Sequence, residues 1–551
     1  MSTLVSRTVK KCRIPLETSH VVVSEDGSIR YAADNEKDEA VELTATKDML
    51  PVPRDSPMRT WGFFSVAGFF VAEAFSISQY QVASSSINAG LSPAATIGAV
   101  LLGHFIIACA ASASAWVGAK FGIPFPAYGR TAFGIRGTYL AVLVRAVAAV
   151  VWYGTQTYQG GQCVAVMLAA IWPSFKHLPN HLPESAHVTS SQLLCYFIFF
   201  IVQLPFLYVH ISKLRHLFLV KIVLMPIFGI VLFGWSVGAA GGFGTIFNKP
   251  TRSLDGRPPA VLFFSAMSSA IAPKATLALN LADFTRYAKS PRNVVVSNIF
   301  SLTILVTLAA ILGVVVTSAA EEIYGVSTWN PLQVSSLMGN RAAQFFSALM
   351  WALAALVTNI SANSTAVGND LMVIFPRWIS IRRGQFICAC LATAACPWII
   401  QSTAKTFTSF LSGYSVFLAP VGGVLMSEVF LVRHRKIALP DLYMQQTSAY
   451  WYQQGVNLKG VAAFVLGIVP TLPGFIRSIN PKLDIPIQAT YVTSCVYPVG
   501  AFVAGSSYYI LSKVFPPVPL PTSYSSNSFS SSIDEEDVKE KDLATSSIVA
   551  V

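Results

Sequence analysis

Ser268-Ser269-Ala270-Ile271-Ala272-Pro273-Lys274 sits inside an apolar stretch, 259–281, that is long enough to cross a bilayer. Proline lacks the amide hydrogen a helix uses and clashes with the preceding turn. A lysine at the bilayer centre costs roughly 2.5–3.5 kcal/mol on insertion scales. The stretch therefore predicts a broken helix, whose freed backbone must face a cavity or other protein. Five spans earlier, 61–82 is interrupted in a similar way. Glu73 is followed by Ser76, Ser78 and Gln79 inside an apolar run, and by Ser84, Ser85 and Ser86 after it. Two interruptions five spans apart are the pattern of two inverted five-helix repeats with a solute site at their interface. Two ordinary kinks are the plainer alternative.

Working outward, a helix needs about 20 apolar residues to span the hydrocarbon core. Such stretches centre on 61–82, 94–117, 139–169, 192–209, 217–237 and 259–281, then on 296–319, 344–367, 386–401, 407–432, 460–476 and 489–511. The fold class is all-α integral membrane, with about twelve transmembrane helices. The even-numbered loops are basic: Arg130 and Arg136, Lys213 and Arg215, Arg286 with Lys289 and Arg292, Arg377 with Arg382 and Arg383, Arg433 with Arg435 and Lys436. The odd loops are mostly poorer, the loop with Lys249, Arg252 and Arg257 excepted. Basic loops stay in the cytoplasm, so both termini are predicted there.

Hydrophobic residues make up 53% of the 551-residue chain and charged residues 12%. The mean hydropathy is +0.56. Soluble domains carry about 25% charge, so a soluble chain is excluded. The net charge of +12 does not indicate nucleic acid, because the basic residues lie in short clusters between apolar runs. The cysteines form no CxxC pair, and all but Cys12 lie in apolar segments, so they read as packing residues. No signal peptide is read in the polar first sixty residues, and the first span is expected to direct insertion. The domain division is a disordered cytoplasmic tail at 1–58, a transporter domain at 59–515, and a disordered cytoplasmic tail at 516–551. In the second tail a serine-rich run, 523–532, precedes a charged stretch, 534–542. Lys539 and Lys541 read either as part of a solubilising end or as acceptors for ubiquitin ligase machinery.

Few polar residues lie within the spans, and those few carry information. Besides Glu73 and Lys274 they include Arg145, Glu428 and a lone His104. Trp152 and Gln156 of the third span are four apart and share one helix face. An indole stacks on a planar ring, and a carboxamide offers one acceptor and two donors to an amide edge. Asn359 and Asn363 repeat that spacing in the eighth span, where interhelical hydrogen bonding is the plainer role.

Several stretches together resemble one family. They are Leu50-Pro51-Val52-Pro53 with Arg59-Thr60-Trp61, and Phe125-Pro126-Ala127-Tyr128-Gly129-Arg130-Thr131-Ala132-Phe133-Gly134. Further on come Val151-Trp152-Tyr153-Gly154-Thr155-Gln156 with Gly160-Gly161, Leu281-Ala282-Asp283-Phe284-Thr285-Arg286-Tyr287, and Asn359-Ile360-Ser361-Ala362-Asn363. From about Asp48 to Phe515 the chain resembles the nucleobase–cation symporter-1 family, in its fungal uracil and allantoin permease branch. The resemblance implies the leucine-transporter fold, ten core helices in a 5+5 inverted repeat plus two peripheral helices. It implies a substrate held by Trp152, Gln156 and Asn363. Lys274 stands where sodium-coupled relatives stack a tryptophan. Tyr80 replaces a common tryptophan near the substrate, and the first-span pattern departs from the usual aspartate and asparagines. Glu73, Lys274, Thr358 and Tyr414 are assigned to coupling or gating. Thr358 is retained at the sodium position of the family, but Val357 stands where a serine is expected and has no oxygen to offer.

These features together predict a proton-driven symporter of uracil, allantoin or a related heterocycle in the plasma membrane, with no cofactor and no metal. Uridine, thiamine or nicotinamide riboside are alternative solutes within the family. An integral membrane enzyme is disfavoured by the absence of any convergent acid, base or metal set around His104. A receptor that binds the same solute without moving it is the remaining alternative.

Overall fold

A computed structural model describes residues 49–209, 216–253, 256–326, 328–375, 378–444 and 448–520, together with three short strands nearer the N-terminus. The twelve expected stretches are all helical. The first is split into α1 (Phe63–Ala74) and α2 (Ile77–Asn88). Then follow α3 (Pro93–Phe121), a short α4 (Phe125–Phe133), α5 (Thr138–Ile171), α6 (Ser190–Tyr208), α7 (His216–Ala240) and α8 (Pro259–Thr285). After them come α9 (Pro291–Tyr324), a short α10 (Pro331–Leu337), α11 (Arg341–Ile374), α12 (Ile381–Ala394), α13 (Pro397–Ile400) and α14 (Ala404–Val432). The chain ends on α15 (Leu458–Ile468), α16 (Leu472–Ile479), α17 (Gln488–Thr493) and α18 (Val496–Val514). Among the described residues eight helices are individually long and apolar enough to cross a bilayer, and α15 with α16, bent by 52°, makes a ninth span. The other expected spans are the split first one, α12 with α13, and α17 with α18.

The first interruption is where the sequence placed it. Phe75 leaves the helical region, and Ser76, in extended conformation, caps α2 by accepting a hydrogen bond from the Gln79 amide at 3.3 Å. The second expectation is corrected. α8 runs unbroken through Pro273, which sits inside the helix. The proline removes one backbone hydrogen bond, and the turns on either side hold the helix together.

Small residues let the spans approach closely. A Cβ on Gly103 of α3 would lie 2.5 Å from the Met267 carbonyl oxygen of α8, and one on Gly118 would lie 2.7 Å from the Ala282 Cα. On α5, a Cβ at Gly154 would meet the Ala392 carbonyl of α12, and one at Gly161 the Tyr196 backbone of α6. These contacts fix α5 and α8, which carry most of the site. Among the described residues three helices contain a π-helical turn: Ser301–Leu305 in α9, Asn359–Ser364 in α11 and Ser427–Val432 in α14.

The tail boundaries shift. Met49, Leu50 and Val52 are buried against the helices. Arg59 donates to the carbonyls of Val52 and Ala119, both at 2.8 Å, and the Tyr443 hydroxyl donates to Met49 O at 2.9 Å. At the other end Arg433 donates to Val518 O at 2.7 Å. Nearer the N-terminus, Ser19–Val23 pairs antiparallel with both Ile29–Tyr31 and Val41–Leu43, a sheet where the composition suggested none. The remainder of both tails, Lys539 and Lys541 included, lies outside the described residues.

Candidate functional site

The split between α1 and α2 opens onto a cavity of about 640 Å³, counted to its open mouth. Five elements line it. The first span gives Glu73, Ser76 and Ser78; α5 gives Arg145, Trp152 and Gln156; α8 gives Pro273, Lys274 and Leu277; α11 gives Thr358 and Asn363. Trp152, Gln156, Asn363, Lys274, Glu73 and Thr358 are thus brought together from four separated stretches of sequence.

Trp152 is held at its edges by α14. Phe407, Phe410 and Tyr414 stand edge-on to it at ring-centroid distances of 6.5, 5.6 and 6.1 Å. Tyr414 therefore supports the tryptophan and does not line the cavity. Four residues on, the Gln156 carboxamide makes no hydrogen bond among the described residues, which leaves its donors and acceptor to whatever fills the cavity. Asn363 gives its amide hydrogen to Asn359 Oδ1 at 3.0 Å. Asn359 itself is fully buried and belongs to the packing between α5, α6 and α11.

Tyr80 is corrected. It faces away from the cavity, bonded through its hydroxyl to Thr317 of α9 at 3.1 Å and packed edge-on to Trp351. Its position on α2 is two residues beyond Ser78, which turns it to another face of the helix. Glu73 and Lys274 form no ion pair with each other. Lys274 Nζ donates to the Glu73 backbone carbonyl at 3.2 Å, and the Glu73 carboxylate accepts from Ser361 Oγ at 3.3 Å.

Two groups escaped the sequence reading. Lys221 of α7 is completely buried and donates to Thr358 Oγ1. The sequence signal was present, a lysine within the apolar run 217–237. The second group surrounds Arg145, which bonds Asp370 of α11, lies 3.5 Å from Asp283 of α8, and stacks over the Phe125 ring at 4.9 Å. Arg145 was noted as an intramembrane charge, whereas its partners lie at the ends of distant spans.

A cavity with a supported indole, an unpaired carboxamide and an asparagine on facing helices can sandwich a flat polar ring and bond its edge. Comparison with known proteins identifies the family. Residues 51–500 match the family of permeases for cytosine and purines, uracil, thiamine and allantoin. The uracil permease of Saccharomyces cerevisiae is 32% identical over 484 residues, covering 85% of this chain and 76% of the yeast protein. The allantoin permease of the same yeast is 32% identical over 489 residues, covering 85% and 76%. Among solved structures Mhp1, a nucleobase-cation-symport-1 family transporter in a closed conformation with bromovinylhydantoin bound, superposes with a TM-score of 0.67 at 20% identity, covering 86% of this chain and 97% of that one. That likeness shows the fold, the leucine-transporter arrangement of two five-helix repeats with additional helices. On the family match and the yeast relatives together, the chain belongs to the nucleobase–cation symporter-1 family, and it is a multi-pass membrane permease, not an enzyme.

Proposed function

We propose that this protein carries a neutral heterocycle with an amide or ureide edge, uracil and allantoin being the leading solutes, by proton symport across the plasma membrane with both chain ends in the cytoplasm. The observation that carries the solute class is the Gln156 carboxamide. It is buried beside Trp152 in a cavity and lacks a protein partner. Its donors and acceptor reach the cavity free of protein partners, so a solute with a matching edge can bond them without breaking a protein hydrogen bond. The yeast relatives are named for uracil and allantoin, in keeping with this edge.

Proton coupling is supported by the chemistry around Thr358. Its hydroxyl already accepts a hydrogen bond from the Lys221 ammonium, and Val357 offers no side-chain oxygen. A hard cation prefers several oxygen ligands, and this corner presents an ammonium in their place.

Uptake of radiolabelled uracil and allantoin into cells lacking their own permeases tests the reading. Saturable uptake, inhibited by the unlabelled solute and increased at acidic external pH, is expected. Binding without accumulation would make the protein a receptor. Preferential uptake of uridine, for which a further yeast relative with 31% identity is named, would move the solute class to nucleosides.

A further inference from the structure

The face that Asn363 shows the solute is decided at some distance from the cavity, at a backbone carbonyl of α5. Four side chains and that carbonyl form a connected network of donors and acceptors. Thr157, Gln203 and Asn359 are wholly buried, and Asn363 is only 7% exposed. The Thr157 hydroxyl donates to Tyr153 O at 2.8 Å. A carbonyl oxygen only accepts, so the single hydroxyl hydrogen is committed there and Thr157 Oγ1 can only accept from anything else. Gln203 Nε2 meets that oxygen at 2.9 Å, which places the amide nitrogen of Gln203 toward Thr157 and leaves Gln203 Oε1 as an acceptor. Asn359 Nδ2 then faces three acceptors, Tyr153 O at 3.2 Å, Thr157 Oγ1 at 3.0 Å and Gln203 Oε1 at 3.0 Å. With Asn359 turned the other way, its oxygen would confront all three. Its Oδ1 must therefore face Asn363, and Asn363 must answer with Nδ2, at 3.0 Å.

Amide oxygens and nitrogens are usually told apart only by their surroundings. Here the surroundings permit one order. The Asn363 oxygen is left without a protein partner on a residue that lines the cavity. The π-helical turn Asn359–Ser364 holds both asparagines in this order, and such turns cluster at functional sites.

We propose that Thr157, Gln203 and Asn359 are positioning residues that lock Asn363 with its carbonyl oxygen toward the cavity, so that the carried solute must present a ring N–H to α11. This deepens the proposed function and rests on it. A site built around a buried hydrogen-bonding group strongly rejects an analogue that lacks the matching group, whereas shape alone discriminates weakly. An analogue with ring oxygen in place of that N–H keeps the shape and reverses the polarity, setting two acceptors against each other.

The test is competition against uracil uptake by the two oxazinediones in which one or the other ring N–H is replaced by oxygen. Hydantoin and oxazolidinedione serve where allantoin is the solute taken up. For the wild-type chain, one oxygen analogue should inhibit at least about 10-fold more weakly than the parent ring. Thr157→Val keeps the shape and removes the hydroxyl that starts the order. At normal surface level its discrimination should fall to about threefold, because Gln203 is then free to turn its amide and only Tyr153 O at 3.2 Å still holds Asn359 Nδ2 in place. Thr157→Ser restores the hydroxyl and should restore the wild-type ratio. A structural role alone would lower surface level or maximal uptake in Thr157→Val while leaving the ratio unchanged, and that result overturns the positioning role. Equal inhibition of the wild type by the parent ring and both oxygen analogues overturns the proposal without any variant. Absence of uptake of every heterocycle overturns the proposed function instead, and this inference falls with it.

Discussion

The Lys274 ammonium stands 3.2 Å from the backbone carbonyl oxygen of Glu73, while the carboxylate of that glutamate turns to Ser361. Glu73 is the penultimate residue of α1. The last carbonyls of a helix have no partner within it and form the negative end of its dipole. Lys274 thus caps α1, the N-terminal half of the split first span, from across the cavity. Removing it as Lys274→Met should leave that carbonyl unpaired and destabilise the protein by about 1–3 kcal/mol, read as a lower thermal midpoint in detergent. Glu73→Gln keeps an acceptor for Ser361 and should reach the cell surface at wild-type level. Because the two side chains do not pair with each other, the double variant should resemble Lys274→Met. Rescue by the double variant would contradict this geometry.

Trp152→Ala and Gln156→Ala should each raise the apparent KM severely with surface level maintained. Loss of a stacking ring costs on the order of 1–3 kcal/mol by analogy with base–aromatic stacking, or roughly 5- to 150-fold in affinity. Phe410→Ala, which removes an edge contact to Trp152 and a ring contact to Tyr414, should have a smaller effect of the same sign. Ordinary uptake kinetics in both of the first two variants would remove α5 from the site.

Arg145 joins α5 to α8 and α11 through Asp283 and Asp370, all within the membrane domain. Breaking a buried pair by removing one partner costs about 3–5 kcal/mol, because the charge left behind is uncompensated. Arg145→Met leaves two carboxylates and should be retained inside the cell. Arg145→Met combined with Asp370→Asn and Asp283→Asn should recover part of the surface level. Wild-type folding of Arg145→Met alone would show that the cluster is dispensable.

How much of this was legible depends on the range of the signal. Spans are local, and a run of about 20 apolar residues announces itself. Ser76 was legible as the break because a serine cap acts within three residues. Pro273 was misread because a proline removes only one hydrogen bond, and the close packing of α8 on α3 at Gly103 and Gly118 holds the remaining turns. Trp152, Gln156 and Asn363 were placed by resemblance to a family, since helical spacing alone says only that two residues share a face. Lys221 and the Arg145 partners were not placed, because pairing across 137 and 225 positions leaves no local mark. Tyr80 was misplaced for a related reason: being near a site in sequence does not decide which way a helix is turned.

A sodium site at α11 would need oxygen ligands, and Thr358 supplies a hydroxyl. That hydroxyl is occupied by Lys221, and Val357 beside it has none. Lys221 also feels the charges of Glu73 and Lys274, so one carboxylate and two ammonium groups share the region where α1, α7, α8 and α11 meet. A bound sodium would add a third positive charge there, with only Glu73 to offset it. A proton taken up or released in this region changes the charge without needing a new ligand set. Uptake by the wild type should therefore be indifferent to replacing external sodium with choline, and should rise as external pH falls. Glu73→Gln fixes the one carboxylate in a neutral form, and uptake by this variant should lose most of its response to pH while the protein stays at the surface. Lys221→Met removes the ammonium and frees the Thr358 hydroxyl, and its uptake should likewise lose the pH response without gaining a response to sodium, because Val357 still withholds a ligand. Wild-type uptake stimulated by sodium and unaffected by pH would sink proton coupling, and a pH response unchanged in both variants would place the proton elsewhere in the protein.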